Sequence, residues 1–123
     1  MSYRFWIQMG SLFMLLGIAV GAFGAHGLKH ILSPEMKQVY ETGVQYQIYH
    51  ALALFIVAGL VVKDSSRWAS WAGYFFIAGI LLFSGSLYAL SLSGIKKIGW
   101  ITPVGGLSFL IGWALLLFSA YPK

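Results

Sequence analysis

The sequence contains no cysteine. Disulfides, thiolate metal ligands and cysteine nucleophiles are therefore excluded, and the redox compartment is left undetermined. Charge is nearly as scarce. Only 9% of the 123 residues are charged, against about a quarter in a soluble domain. Acid is scarcest of all: Glu35, Glu41 and Asp64 are the sole carboxylates, and each falls at or outside the end of an apolar run. The chain offers no paired acids, nucleophile–base motif, phosphate loop or HExxH signature. An enzyme of the usual hydrolase or transferase kind is not expected, and neither is a bound cofactor or metal.

Basic residues outnumber acidic ones, giving a net charge of +5, but they are scattered. Arg4, Lys29, Lys37, Lys63, Arg67, Lys96, Lys97 and Lys123 form no stripe of the kind that follows a nucleic-acid backbone. Nucleic acid is not an expected partner. These residues instead flank apolar segments, where they would meet anionic lipid head groups.

What the chain has in abundance is apolar sequence, at 59% of all residues. A small soluble domain exposes too much surface to tolerate that composition. Lipid is the covering the composition calls for. Four stretches approach the roughly 20 residues needed to cross a hydrocarbon core about 30 Å thick. They run approximately over 5–25, 43–62, 69–92 and 101–121, and none holds an Asp, Glu, Lys or Arg. Within lipid, backbone polar groups must be satisfied inside the segment, so each span is expected to be a helix. The first run follows Arg4 and ends in small residues, as a leader peptide would, but its apolar stretch is longer than a leader core and reads as a span. The expected fold is all-α: one domain over 1–123, an integral membrane bundle of four transmembrane helices, with an additional polar helical segment between spans one and two.

Local signals support these ends. "SPE" at Ser33–Glu35 supplies an N-cap, a proline at the first helical position and an acid in the first turn. "ITP" at Ile101–Pro103 offers Thr102 as a second cap, and "SG" at Ser93–Gly94 can close the third span. Trp6, Trp68, Trp71 and Tyr121 are expected at one membrane face and Trp100 and Tyr46 at the other, with Trp113 in mid-span as a packing or lipid-facing residue. A helix over 34–62 would measure roughly 43 Å, longer than the core, so it must project or bend, and Gly43 offers the bend. Four spans put both termini on one side. Basic residues tie between the two sides, and the termini are expected in the cytoplasm.

Glycine is the other abundant residue, with 15 copies. Small residues let membrane helices approach closely. Gly17, Gly21 and Gly24 in span one, Gly79 in span three, and Gly105 and Gly112 in span four are expected to pack helices. A surface left over after that packing suggests an oligomer or a membrane protein partner besides the lipid bilayer.

Polar residues gather at the start of span two, around Glu41, Gln45, Tyr46, Gln47, Tyr49 and His50. Tyr46 and Gln47 lie four and three residues before His50, the spacings that share a helix face. His26 ends span one on the same side of the membrane. Three readings are open: metal or haem ligation, a polar lining for a solute, ion or proton, and hydrogen bonds between helices. The spacing of His26 and His30 weakens as a ligand pair because Gly27 is a natural helix terminator.

"GAFGAHGL" at Gly21–Leu28, "TGVQYQIYHALAL" at Thr42–Leu54, "LFSGSLYAL" at Leu82–Leu90 and "TPVGGLSFLIGW" at Thr102–Trp113 follow in that order. Together they resemble the small four-helix membrane proteins grouped as domain of unknown function 423, the YgdD/YwdK-like family, with the eukaryotic transmembrane protein 256 as a distant relative. The resemblance covers essentially the whole chain. It implies a multi-pass protein of the bacterial inner, or plasma, membrane and brings no established activity, cofactor or substrate. It places His26 and His50, but not His30, within its motifs. The candidate polar site is therefore His26 and His50 with Tyr46, Gln47, Tyr88 and Thr102 as neighbours. The expected role is non-enzymatic, a helix bundle that oligomerises or assists a membrane partner. The alternative is a small transporter, channel or ligand-binding protein using the polar cluster.

Overall fold

The computed structural model describes residues 2–64 and 67–120. Tyr121, expected in the aromatic belt, lies outside the described residues. Helix α1 is Tyr3–His26, α2 is Pro34–Asp64, α3 is Arg67–Gly79, α4 is Gly85–Ser93 and α5 is Thr102–Ser119. A π-helical turn, Ile80–Ser84, joins α3 to α4, so the two read as one interrupted span, and a 3₁₀ turn, Lys96–Trp100, leads into α5. No strand occurs among the described residues. Four stretches are long and apolar enough to cross a membrane: Tyr3–His26, Pro34–Lys63, Arg67–Ser93 and Lys96–Ser119.

The polar segment before span two is part of α2. Ser33 caps it, its Oγ accepting from the Met36 backbone N–H at 3.2 Å. The helix then runs through Gly43 without interruption for 31 residues, roughly 46 Å at 1.5 Å per residue. The third span stops at Gly94, whose φ of 73° places it in the left-handed region that glycine enters without steric cost. Its N–H returns to the Leu90 carbonyl at 2.8 Å, which satisfies one of the helix's last acceptors. Thr102 does not cap α5 as expected. Ile101 holds the cap position, and the Thr102 hydroxyl is engaged by Ser86 instead.

Helix α2 is central. It packs along α1 on one side and along α3, the π turn and α4 on the other, while α5 lies mainly on α3 and the π turn. The core joins Trp6 and Phe13 of α1, Ala51, Leu54, Val57 and Val61 of α2, Ala69, Ala72 and Phe76 of α3, and Phe109 of α5. Trp6, expected at a membrane face, is fully buried. Its ring packs edge-on against Phe5 and Tyr74, 4.8 and 5.0 Å between centroids, over the space left by Gly73. A large aromatic at the end of a span finds more contact against a glycine than at the interface, and here packing prevails.

Candidate functional site

Antiparallel α1 and α2 meet along a glycine seam. Gly10 faces Ala51 and Phe55, Gly17 faces Gln47 and Ile48, Gly21 faces Val44, and Gly24 faces Tyr40. A methyl group on Gly10, Gly17 or Gly21 would come within 3.1–3.2 Å of the opposite helix, so their small size sets the approach. That approach brings side chains within reach of main-chain carbonyls. The Tyr40 hydroxyl donates to Val20 O at 2.6 Å, and Gln47 Nε2 donates to Phe13 O at 2.8 Å.

Gln47 is buried and uses both ends of its amide. Its Oε1 accepts from the Tyr88 hydroxyl at 2.6 Å, so one side chain links α1, α2 and α4. Close by, Ser84 in the π turn donates to Gly43 O at 2.7 Å. Across α3 and α5, Ser108 donates to Phe75 O at 2.7 Å. Ser86 donates to Phe83 O at 2.9 Å, so its single proton is spent and Thr102, 2.6 Å away, is the donor of that pair.

His50 lies about a sixth of a turn round α2 from Gln47, toward α3 and α5. Its Nδ1 lies 2.7 Å from Tyr46 O, which can only accept, so Nδ1 carries the proton. Its Nε2 lies 3.0 Å from Trp113 Nε1, an indole that can only donate, so Nε2 is the acceptor. The two partners fix one neutral tautomer. Phe109 stacks on the imidazole at 3.6 Å and 10°, with Phe76 5.4 Å away between centroids. Both nitrogens are occupied, and ligation of a metal or haem would require breaking one of these bonds. Trp113 and Phe109 had no polar role assigned from the sequence. The signal was an indole in mid-span, a donor that needs a partner when taken out of water.

The six residues proposed for the polar site separate. Tyr46 and His50 belong to the aromatic cluster, with Tyr46 4.8 Å from the Phe83 ring. Gln47 and Tyr88 form the link to α1, and Thr102 pairs with Ser86. His26 stands apart, exposed at the end of α1 with Nδ1 3.0 Å from Ala22 O. The seam register puts His50 level with α1 between Gly10 and Gly17, so His26 is a dozen residues away along the helix, roughly 18 Å. The same register takes Tyr46 well below the membrane face at which it was expected. Chain spacing put these groups at one end of a span, but a polar start to α2 that projects past α1 carries its later residues to mid-membrane. Among the described residues, no three His, Cys, Asp or Glu side chains come together to hold a metal ion. The six glycines lie at helix contacts: Gly79 against Phe109, Gly105 against the backbone at Phe83, Gly112 against Phe76, and Gly17, Gly21 and Gly24 in the seam.

Four apolar spans held together by close glycine contacts and side-chain-to-carbonyl bonds define a small multi-pass α-helical membrane protein. The chain belongs to the family described as "Protein of unknown function (DUF423)", which matches residues 20–106. It is 47% identical over 118 residues to UPF0382 membrane protein YwdK of Bacillus subtilis, covering 95% of this chain and 96% of that one. It is 43% identical to UPF0382 membrane protein SAB0533 of Staphylococcus aureus, covering 96% of each. It is 40% identical to UPF0382 inner membrane protein YgdD of Escherichia coli, covering 98% of this chain and 92% of that one. No solved structure matches. The spans and these relatives together make it a multi-pass protein of the bacterial inner, or plasma, membrane.

Proposed function

We propose that this protein is non-enzymatic and works by assembly, with copies of itself or with a larger membrane partner. One observation carries the reading: the buried polar side chains Gln47, His50, Ser84 and Ser108 spend their hydrogen bonds within the bundle. Gln47 spends both ends of its amide and His50 both ring nitrogens, while Ser84 and Ser108 are tied to carbonyls of neighbouring helices. Chemistry or conduction within a membrane needs polar groups turned toward a substrate or a water-filled path. A bundle that directs them inward at its own backbone has its outer surface left to work with. That surface is apolar, and Gly59 and Gly85 have open space where a side chain would begin, which admits the close approach of another helix.

The alternative, a small transporter, channel or ligand-binding protein using the His/Gln/Tyr cluster, loses support at its buried members, because His50, Gln47 and Tyr88 are paired inside the bundle. Native mass spectrometry of the protein extracted in mild detergent tests the assembly reading. The expected result is a defined oligomer or a stoichiometric complex, reduced by Gly59→Leu or Gly85→Leu. A spectrum of monomers alone, with no co-purifying protein, would overturn it.

A further inference from the structure

We propose that the slot between the C-terminal end of α1 and the N-terminal half of α2 holds a phospholipid with a zwitterionic, primary-ammonium head group. A cavity of about 190 Å³ opens there, far more than a single water needs. Its floor is apolar and shallow-walled because Gly21 faces Val44 and Gly24 faces Tyr40 across the seam, with Ala25 and Leu32 also lining it. Lys37, Glu41 and Gln45 of α2 form its polar edge.

The position suits a lipid. Gly24 is level with Tyr40 and Gly21 with Val44, so Glu41 and Gln45 lie beside the last turns of α1 and Lys37 just past its end. Helix α1 has 24 residues, roughly 36 Å, slightly more than the hydrocarbon core. Its final turns therefore cross the boundary where acyl chains give way to head groups. An apolar floor and a charged edge meet at the depth where a phospholipid changes from one to the other.

The charges suit a zwitterion. Lys37 and Glu41 are one helical turn apart and line the same slot. Lysine precedes the acid, the weaker order for an ion pair along a helix, and the two form no ion pair with each other among the described residues. A phosphodiester would meet Lys37, and an ammonium would donate to Glu41 and to the Gln45 carbonyl oxygen. A purely anionic head would be repelled by Glu41. A quaternary ammonium has no N–H to donate to either group.

The test is native mass spectrometry of delipidated full-length protein offered equimolar dioleoyl phosphatidylethanolamine, phosphatidylglycerol and phosphatidylcholine. The expected result is one phosphatidylethanolamine per chain, retained about fivefold over each competitor, the scale of one partly exposed charge-assisted hydrogen bond. Glu41→Gln should abolish that preference with the melting temperature unchanged, because Glu41 is exposed and serves no core contact. Lys37→Gln should lower retention of phosphatidylethanolamine. Equal retention of all three lipids, preference for phosphatidylglycerol, no retained lipid, or a preference that survives Glu41→Gln would each overturn the proposal. Oligomeric state in the same spectra reports separately on assembly, so the two readings fail independently.

Discussion

Gln47 and His50 are three residues apart on α2 and serve different neighbours. Three residues turn a helix by about 300°, which leaves the two side chains roughly 60° apart. On a helix packed from two sides, that offset is enough to send Gln47 toward α1 and α4 and His50 toward α3 and α5. Their shared face was legible from spacing, but which partners each would find was not, since this depends on helices 34 and 63 residues away in the chain. Gln47→Leu removes two interhelical bonds and leaves the Tyr88 hydroxyl unpaired. It is expected to cost about 1–2 kcal/mol, read as a lowered midpoint of thermal unfolding in detergent. Adding Tyr88→Phe should recover part of that loss, because the orphaned hydroxyl is then gone. At the second site, Trp113→Phe keeps the ring packing and loses one bond, and about 0.6 kcal/mol is expected. His50→Ala also empties the space beneath Phe109 and should cost about 2–4 kcal/mol. Equal effects of these two substitutions would show that the hydrogen bond, rather than the stacked ring, dominates the site.

The elements divide into those set by local sequence and those set by a neighbour. Four apolar runs, the Ser33 cap and the Gly94 terminator were readable because each depends on hydropathy or on residues within one turn. The π turn at Ile80–Ser84 was not. One residue added to a helical turn leaves no mark on a stretch such as "GILLFSG", which is apolar apart from Ser84 and carries too little pattern to fix a register. Its position makes sense only with α5 in place. Gly105 sits directly against the backbone of Phe83 and Leu82, closer than any Cβ could approach, so the widened turn and the glycine fit one another. Gly105→Ala must therefore push α5 from the π turn, with a loss of about 1–3 kcal/mol expected from overpacking. Gly59→Ala is the internal control. It meets nothing within 4 Å and should leave the same unfolding midpoint unchanged or slightly raised, since alanine is the better helix former. Equal losses from the two substitutions would mean that glycine itself, and not the close contact, is what stability requires.

At the scale of the whole molecule, the unequal helix lengths bear on how the protein sits in its membrane. Helix α1 matches the core with little to spare, whereas α2 exceeds it by roughly 16 Å. The larger part by which α2 outruns α1 falls at the Pro34 end, because the seam register holds Gly24 level with Tyr40 and leaves residues 34–37 beyond His26. Glu35 and Lys37 lie in that projecting part, beside the exposed Lys29 and His30, and Lys96 and Lys97 stand at the same end of the bundle. At the other end are Arg4, Lys63 and Arg67. Basic residues thus mark both faces, and their count gives the positive-inside rule nothing to decide with. Even span number gives a firmer expectation. The absence of native cysteine allows single cysteines to be placed at Ser2, Ser93 and Ala120, all exposed, without background labelling. A membrane-impermeant maleimide applied to intact cells should treat Ser2→Cys and Ala120→Cys alike and Ser93→Cys oppositely. With cytoplasmic termini, Ser93→Cys is the one labelled from outside. Labelling of the other two instead would reverse the orientation while keeping the bundle. Any pattern in which Ser2→Cys and Ala120→Cys differ would contradict four membrane crossings, and with them the depth assigned to Gln47, His50 and the lipid slot.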